Sequence, residues 1–334
     1  MPFPRDLARD WTPPALLRAA KRSRSGARRG SRDLTYRVGS TDIVLPAGHA
    51  LPKYRARWHL YDEPLRYVAE ALRALDPNFR AIDIGANVGD SAAAIGVQGS
   101  RSVPTPVLCI EGDPAYLGYL RRNARALGPQ VEVEASFVGT DSGSLALDQL
   151  RRHDGTTSAA EALSTPSHLS DHAASDPGTA IPVRRLDAIV ELHPSFRGAE
   201  LMKLDTDGFD FSILLANEDL LALTGPVLFF EYLLESPEDA ERAQTCMDML
   251  ASIGYADFLV FDNFGNPLLR TDQATQLRDL DRYLLSNLAF GQAVYYLDIC
   301  AVTPGQREVL DRVTSKMAAL AAPTTEAPGT SSPR

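Results

Sequence analysis

The most informative stretch of this chain is Phe79-Arg-Ala-Ile-Asp-Ile-Gly-Ala-Asn-Val-Gly-Asp90. A short apolar run, Ala81 to Ile84, leads into a turn with Gly85 and Gly89, and small residues with helical character follow. Strand, glycine turn and helix N-terminus, in that order, form the local geometry that holds nucleotide-like ligands in α/β proteins. The two glycines are expected to let the backbone approach a ligand where a Cβ would obstruct it.

The spacing of this turn separates it from a dinucleotide-binding turn. Its glycines flank Asn87 in a Gly-x-x-x-Gly pattern, whereas the dinucleotide fingerprint needs Gly-x-Gly-x-x-Gly to seat a pyrophosphate. Asp90 closes the turn, and a carboxylate there would repel a pyrophosphate. The turn therefore favours a ligand without phosphates, such as S-adenosylmethionine with its aminoacyl and ribose groups. An ordinary tight turn of an α/β domain is the alternative.

Composition limits the classes of protein to which the chain can belong. With 334 residues and 44% apolar side chains it can bury a sizeable core in one large domain or two modest ones. The net charge of −9 argues against nucleic acid as the main partner. No segment approaches the roughly 20 apolar residues that span a bilayer. The three cysteines (Cys109, Cys246 and Cys300) have neither disulfide nor metal spacing, so we expect a reducing, cytoplasmic compartment.

Strand-like apolar runs alternate with helix-like segments from Phe79 onward. This alternation predicts an α/β fold with a mostly parallel, Rossmann-like sheet, helices on both faces and an N-terminal β/α embellishment. The predicted strands are 81–84, 107–110, 131–138, 201–204, 226–230, 257–261 and 293–302. The predicted helices after the first turn are 115–127, 213–223 and 238–253.

We predict four segments along the chain from composition and periodicity. They are a basic, partly disordered leader (1–32), a strand and helix extension (33–78), the ligand-binding domain (79–303) and a C-terminal helix with a disordered tail (304–334). In the extension, a strand pair surrounds Gly39-Ser40 and a helix covers 63–75. A surface insertion or mobile loop is expected at about 153–179.

Acidic residues stand at the carboxyl ends of four predicted strands: Asp83, Glu111, Asp205 and Glu231. Those ends share one edge of a parallel sheet, which is where open α/β sheets bind ligands. Because burying unpaired charge is expensive, four carboxylates on one edge indicate a polar ligand cleft.

Glu111 and its neighbours are the candidates for binding the adenosine part of a ligand. An acid at the end of the second strand is placed to accept hydrogen bonds from ribose hydroxyls, although this does not choose between S-adenosylmethionine and NAD. A cap for the helix at Pro114 is the alternative role, for which Asp113 is the better candidate. The stretch 137–141, with Val138, either frames an adenine ring or forms a plain turn.

Asp205, Asp207 and Asp210 form the densest acidic cluster of the sequence. Asp205 or Asp207 is the candidate general base or the group that orients an acceptor hydroxyl. Asp210 is expected to cap a helix. A Mg²⁺ site formed with Glu231 is the alternative, since hard cations prefer carboxylate oxygens, and Glu231 could equally orient the substrate.

Two further segments are candidates for the walls of the cleft. His49, His59 and Tyr61 precede the ligand-binding domain and could fold over a ligand as a lid, with purely structural roles as the alternative. The segment 262–265 either lines the acceptor pocket or is a simple turn.

Four runs together carry a resemblance to a known family: Ala81–Asp90; Ile110–Pro114 with Leu120–Asn123; Arg185–Ala188; and Met202–Asp210. In this order they resemble the FkbM-type family of S-adenosylmethionine-dependent methyltransferases. Where the family usually reads Glu-Pro-Asp-Pro, this chain has Gly112 after Glu111. Where it reads Asp-Val-Glu-Gly, the chain has Asp205-Thr-Asp-Gly208, so the second acid is one carbon shorter.

The resemblance implies a class I methyltransferase domain over 79–303 with S-adenosyl-L-methionine as cofactor. The expected cofactor-binding residues are Asp83, Gly85, Asn87, Gly89, Glu111, Asp113 and Val138. The expected catalytic residues are Asp205, Asp207 and Glu231, with no metal, although Mg²⁺ is the alternative named above.

The resemblance also implies the kind of acceptor, which is a hydroxyl of a sugar, polysaccharide precursor or natural product. Two other classes stay open from the residues alone. One is an NAD(P)-dependent oxidoreductase, which the missing glycine and Asp90 disfavour. The other is a non-catalytic α/β ligand-binding subunit that keeps the cleft without turnover.

Overall fold

The computed structural model describes residues 32–153, 156–163 and 180–321. Its strands are β1 (Leu34–Val38), β2 (Thr41–Leu45), β3 (Ala81–Ile84), β4 (Val97–Gln98), β5 (Arg101–Ser102), β6 (Val107–Ile110), β7 (Val131–Glu134), β8 (Phe137–Val138), β9 (Gly143–Ala146), β10 (Arg151–His153), β11 (Thr156–Ser158), β12 (Ala180–Arg184), β13 (Leu201–Leu204), β14 (Val227–Leu233), β15 (Asp257–Asp262), β16 (Pro267–Thr271) and β17 (Tyr296–Val302). Its α-helices are α1 (Leu51–Arg57), α2 (Glu63–Leu75), α3 (Asp90–Ile95), α4 (Pro114–Leu127), α5 (Ala160–Leu163), α6 (Leu186–Leu192), α7 (Asp210–Ala216), α8 (Glu218–Thr224), α9 (Pro237–Ser252), α10 (Arg278–Phe290) and α11 (Arg307–Ala321).

Eight strands form the central sheet, in the order β16-β15-β17-β14-β13-β3-β6-β7. The strands from β14 to β7 are mutually parallel. Strand β17 is antiparallel to both of its neighbours, and β16 is antiparallel to β15. The predicted mostly parallel sheet is therefore confirmed.

Two apolar cores cover the two faces of this sheet. On one face α6, α7 and α9 bury residues such as Ile189, Ile213 and Leu250. On the other face α2, α3, α4 and α11 bury residues such as Val68 and Leu310. Because side chains alternate along a strand, each strand contributes to both cores, which explains its near-continuous apolar sequence. The expected helices on both faces are present.

The direction of the chain reverses at the centre of the sheet. From β3 the chain proceeds outward to β6 and β7, returns to β13 beside β3, and then continues the other way to β14. Open α/β sheets bind ligands at such a switch point, outside the carboxyl ends of the strands. The cleft is therefore expected between the ends of β3 and β13.

The N-terminal extension folds as predicted and is tied to the glycine turn. Strands β1 and β2 pair around Gly39, and α2 has the predicted bounds. The side chain of Asn123 on α4 accepts a hydrogen bond from Val44 N–H (2.8 Å). It donates to Val44 O (2.9 Å) and Val88 O (2.8 Å). This buried amide satisfies backbone groups of β2 and of the turn at once.

Two predicted elements are wrong in their extent. The predicted strand 131–138 is interrupted at Ala135-Ser136, and β8 leaves the central sheet to pair with β12. The predicted helix 213–223 is two helices that meet at Asn217, whose amide donates to Ile213 O (2.7 Å). Local apolar periodicity is continuous in both places, so it gave no sign of the breaks.

The predicted surface insertion is partly core. Residues 156–158 form β11, and Ala159, Ala162 and Leu163 are buried in the same core as β12. Small residues resembled a loop in sequence but pack here because they fit against the sheet. The remainder of the insertion, the leader up to residue 31 and the tail after 321 lie outside the described residues. Strand β16 and helix α10 were not predicted.

Within the described ranges, no helix is long and apolar enough to cross a membrane. All three cysteines are free and buried, and two of them lie in strands β6 and β17 as expected.

Candidate active site

Gly85 and Gly89 are required by the protein's own packing. Gly85 has φ +75°, and a Cβ on it would lie 1.9 Å from the backbone oxygen of Asp205. Gly89 has φ +85°, and its Cβ would lie 3.0 Å from Leu120 Cδ1. At Gly85 the close neighbour is the backbone of Asp205, directly after β13, while Gly85 also lines the cleft, so the expected close approach of a ligand stays a prediction. The turn at β3 is thereby pressed against the loop that follows β13.

Two backbone N–H groups hold the Glu111 carboxylate, one at each of its two side-chain oxygens. Asn87 N–H donates to Oε2 (2.8 Å), and Asp113 N–H donates to Oε1 (2.6 Å). Asn87 reaches this position through a left-handed backbone conformation, with φ +47°. Burial raises the pKa of Glu111 to about 7, against the lowering effect of these hydrogen bonds. Each oxygen keeps a further lone pair, so the carboxylate is oriented yet can still accept hydrogen bonds.

Asp113 is a helix cap. Its side chain accepts from Ala115 N–H (2.8 Å) at the start of α4, and the hydroxyl of Thr157 donates to its other oxygen. It has no exposed surface. The structure therefore supports the cap role that the sequence left open, and Asp113 is not in our proposed set of cofactor ligands.

A cleft lies at the switch point and brings predicted residues together with others. From the sequence-predicted set it is lined by Gly85, Asn87, Glu111, Val138, Asp205 and Asp207. Ser136, Phe137 and Thr157 also line it. The Ser136 hydroxyl is buried without a hydrogen-bond partner in the described part of the chain, which leaves it available to a ligand. Ser136 was not predicted as a site residue. In the sequence it stands out only as a single polar residue between the two strand-like parts of 131–138.

The departure from the family pattern at Gly112 has a packing explanation. A Cβ on Gly112 would lie 2.4 Å from the ring of Phe137. The ring therefore sits directly over the Gly112 backbone, in space that a proline at this position would contest. Phe137 and Gly112 together form one wall of the cleft.

Asp83 lies beneath the glycine turn rather than in the cleft. It is fully buried, accepts from the Ser91 hydroxyl and lies 3.2 Å from Lys203 Nζ. Burial raises the pKa of Asp83, while Lys203 and Ser91 act in the opposite direction. A carboxylate so enclosed positions the turn, and its direct contact with a cofactor stays a prediction.

Lys203 connects three parts of the site, although the sequence analysis assigned it no role. Its ammonium lies 3.2 Å from Asp83, 3.4 Å from Asp205 and 3.2 Å from the oxygen of Gly85. Burial would lower the pKa of Lys203, but Asp205, Asp83 and Asp90 outweigh it and raise the pKa above its ordinary value. The lysine therefore stays charged and locks β3 to β13.

The loop after β13 divides its three acids between solvent and core. The Asp205 side chain is 54% exposed, and Asp207 is part-exposed with φ +52°. Asp210 is buried and accepts from Thr206 N–H (3.0 Å), the Thr206 hydroxyl and Glu231 N–H (3.3 Å). Burial raises the pKa of Asp210 to about 6. Asp210 thus holds the loop in shape, while Asp205 and Asp207 face the cleft.

Asp205, Glu231 and Asp298 form a line across three neighbouring strands, which we call the acidic row. Leu204 pairs with Phe230, and Glu231 pairs with Asp298. Burial raises the pKa of Glu231 well above its ordinary value, and the charges of Asp205, Asp207, Asp210 and Asp298 add to this rise. The structure thus brings Glu231 near Asp205 and Asp207 as predicted. Asp298, on the antiparallel β17, was missed.

The segment before α2 covers this side of the site. Asp62 lies 3.5 Å from Arg55. Burial raises the pKa of Asp62 to about 7; Arg55 opposes this rise, while Asp90 and Asp205 add to it. Tyr61 is close enough to Asp205 for that charge to raise the pKa of its hydroxyl, after the larger effect of burial.

The two candidate lid histidines do not join the site. His49 Nδ1 accepts from Leu51 N–H (3.3 Å) at the start of α1, and His59 is exposed. The segment 262–265 is a turn: Phe264 stacks on Trp58, with ring centroids 4.5 Å apart. A Cβ on Gly265 would lie 2.0 Å from Leu60 O. This turn therefore supports the covering segment.

Among the described residues, no three His, Cys, Asp or Glu side chains are grouped to hold a metal ion.

The parallel strands with β17 inserted antiparallel beside β14, and a cleft at the switch point, define the fold of class I S-adenosylmethionine-dependent methyltransferases. Residues 83–256 match the family model described as the methyltransferase FkbM domain, which is just over half of the chain. The chain therefore belongs to the FkbM methyltransferase family. No curated protein matches it by sequence.

Three solved structures illustrate distant likenesses. The methyltransferase FkbM of Methylobacillus flagellatus KT is 16% identical (67% of this chain, 43% of that chain, TM-score 0.34). Fibrillarin of Aeropyrum pernix, crystallised with natively bound S-adenosyl-L-methionine, is 12% identical (83% and 85%, TM-score 0.35). Precorrin-6y C5,15-methyltransferase of Geobacter metallireducens GS-15 is 11% identical (67% and 79%, TM-score 0.31). The chain spans less than half of the Methylobacillus protein.

Proposed function

We propose that this chain transfers the methyl group of S-adenosylmethionine to a hydroxyl of a sugar, polysaccharide precursor or natural product. The observation that carries the proposal is the Glu111 carboxylate, which the N–H groups of Asn87 and Asp113 hold at the wall of the cleft. Two oxygens oriented in this way suit the two neighbouring hydroxyls of a ribose. The chain's membership of a methyltransferase family supports S-adenosylmethionine over NAD as the ligand.

The residues around Glu111 fit the rest of the cofactor. Phe137 and Val138 offer an apolar wall for an adenine ring, and the Ser136 hydroxyl is available to one of its nitrogens. Asn87 and the Gly85 backbone face the position of the methionine part. Asp83 and Gly89 act indirectly in this proposal, because they shape the turn rather than contact the cofactor.

Asp205 and Asp207 are the proposed catalytic residues. Bound S-adenosylmethionine supplies an electrophilic methyl group on a sulfonium. The acceptor oxygen must lie in line with the methyl–sulfur bond, so that the carbon–oxygen bond forms as the sulfur takes back its electron pair. A carboxylate at the cleft accepts the proton that the hydroxyl releases. Both acids line the cleft, whereas Glu231 is enclosed beside them and would orient the acceptor.

The test is calorimetric titration of the protein with S-adenosylhomocysteine, with NADH in parallel. We expect low-micromolar binding of S-adenosylhomocysteine that Glu111→Gln weakens strongly. The matched control is Asp272→Asn, which removes an exposed carboxylate after β16 at the far edge of the sheet. Transfer of labelled methyl to sugar and polyol acceptors then tests the reaction. NADH binding, or binding of neither ligand, would contradict the proposal.

A further inference from the structure

The acidic row places like charges opposite each other on one face of the sheet. Glu231 and Asp298 are direct cross-strand partners on β14 and β17, and alternation along both strands directs them to the face that Phe229 and Cys300 also occupy. Like charges directly opposite in a sheet are destabilising. The ionised pair is therefore unfavourable, and a bound cation would relieve the repulsion between the two carboxylates.

Glu231 has an oxygen with no partner. Its residue is 9% exposed, and Oε2 is buried without a hydrogen bond within the described part of the chain. Lys203 is engaged by Asp83, Asp205 and the Gly85 oxygen. Arg55 pairs with Asp62. Among the described residues, no basic side chain lies within ion-pair distance of Glu231 or Asp298, and the nearest cation that acts on Asp298 is the already engaged Lys203.

Aromatic side chains border the same position. Tyr296 lies two residues before Asp298 on β17, so both side chains are on the same face of the sheet. Burial raises the pKa of the Tyr296 hydroxyl, and Tyr61, Asp298 and Glu231 add to this rise. Tyrosine rings beside carboxylates form a favourable environment for an organic cation, because the ring face attracts positive charge. Asp205, half-exposed at one end of the acidic row, also lines the cleft.

The cofactor alone does not neutralise the site. S-adenosylmethionine carries one net positive charge, since its ammonium and sulfonium outweigh one carboxylate. In the proposed function its methionine part lies at Gly85 and Asp205. That position leaves Glu231 and Asp298 on the acceptor side, two and three strands away from β3 respectively.

We propose that the acceptor carries an ammonium group and that Glu231 and Asp298 bind it, so that the substrates are amino sugars or related amino alcohols. This inference rests on the proposed function and specifies its acceptor. A protonated amine has no lone pair, so binding it as an ammonium protects the nitrogen and directs methyl transfer to a neighbouring hydroxyl. The reaction balances as before: the hydroxyl proton passes to Asp205 or Asp207.

The experiment uses the protein saturated with S-adenosylhomocysteine and amino sugars matched with their N-acetyl forms. The probes are 2-, 3- and 4-amino hexoses, and binding is measured by saturation-transfer NMR and calorimetry. We expect at least one free amine to bind about 10-fold or more tightly than its N-acetyl partner, since a charged hydrogen bond is lost on acetylation. Glu231→Gln and Asp298→Asn should each remove this preference. Asp272→Asn should keep it.

The outcomes separate the inference from the proposed function. Equal or better binding of every N-acetyl form overturns the inference, even if neutral sugars are methylated and the function stands. A preference for the amine that depends on Glu231 supports it, even if no methyl transfer follows and the function fails. Mg²⁺ alone is titrated as well, and Mg²⁺ binding that Glu231→Gln abolishes overturns the ammonium site. Each variant is checked for unchanged S-adenosylhomocysteine affinity, which shows that it is folded.

Discussion

The two halves of the sheet treat their carboxylates in opposite ways. On the β3–β6–β7 side, Glu111 has both oxygens fixed by backbone donors and Asp83 faces Lys203. On the β13–β14–β17 side, Glu231 keeps an unpartnered oxygen and faces Asp298 across the ladder. On the first side the Glu111 carboxylate is held by the protein's own donors, whereas on the second the ionised Glu231 and Asp298 repel each other. If the proposed function holds, the side that binds the cofactor is pre-organised, and the side that binds the acceptor selects its ligand by charge.

The largest effect is expected where the two halves meet, at Gly85. Gly85→Ala places a Cβ 1.9 Å from the Asp205 oxygen at φ +75°. We expect a loss of about 4 kcal/mol in the free energy of unfolding, about half from backbone strain and half from overpacking. Urea unfolding measures it. Gly48→Ala is the control, because Gly48 has φ +84° with no atom within 4 Å. Equal losses in both variants would show that the contact between the halves is unimportant.

The next effect separates turnover from cofactor binding. We expect Asp207→Asn or Asp205→Asn to lower kcat about 100-fold, the usual contribution of a general base, with S-adenosylhomocysteine affinity nearly unchanged. Single-turnover methyl transfer and calorimetry measure the two quantities. Because Asp205 also pairs with Lys203, its variant should lose some stability as well. Unchanged turnover in both variants would remove these residues from the mechanism.

Glu111→Gln should weaken S-adenosylhomocysteine binding about 30-fold, since a charged acceptor of backbone and ribose donors is lost. The pKa of Glu111 is about 7 in the free protein. Because the ionised carboxylate is the binding form, affinity should rise as pH increases through about 7 and then level off. Calorimetry across this range gives the profile. A wild-type affinity independent of pH, or a Glu111→Gln profile with the same slope, would contradict the assignment.

The smallest expected effect is a gain in stability, and it tests the β13–β14–β17 side of the sheet. The pKa of Glu231 lies above its ordinary value of 4.5, so the folded protein holds that proton more tightly than the unfolded chain. Stability contributed by this group is therefore lost as pH rises above 4.5. We expect Glu231→Gln to stabilise the protein by about 1 kcal/mol at about pH 8 and by nothing at about pH 4. Thermal unfolding at both pH values measures it, and destabilisation at about pH 8 would show that Glu231 is already satisfied.

Much of the fold could be predicted from the sequence because its signals are local. The turn at 85–89, the helix 63–75 and the strands 81–84, 107–110 and 201–204 were confirmed. The predicted lengths of elements are wrong where a continuous local apolar pattern hides a break, as at Ala135-Ser136. The insertion was judged from its small residues, which cannot report that Ala162 and Leu163 pack into the core.

The residues of the candidate site that could be predicted are likewise those with a local signal in the sequence. Glu111, Asp205 and Asp207 could be found because they follow strands, and strand ends share an edge. Glu231 was predicted at a strand end, but β14 extends to Leu233, so Glu231 lies inside the strand. Lys203 and Asp298 could not be found in this way. Lys203 lies inside a strand and acts across to Asp83, while Asp298 lies on β17, which runs in the opposite direction.

The sequence by itself determined the βα turn, the parallel sheet and the order of acids along its edge, because these depend on spacing along the chain. The burial, orientation and partners of those acids depend on the tertiary structure. It enclosed Asp83 and Asp113, oriented Glu111, and set Glu231 against Asp298. The physical reason is that burial and cross-strand pairing fix the charge state and the partners of a carboxylate, and both depend on residues far away in sequence.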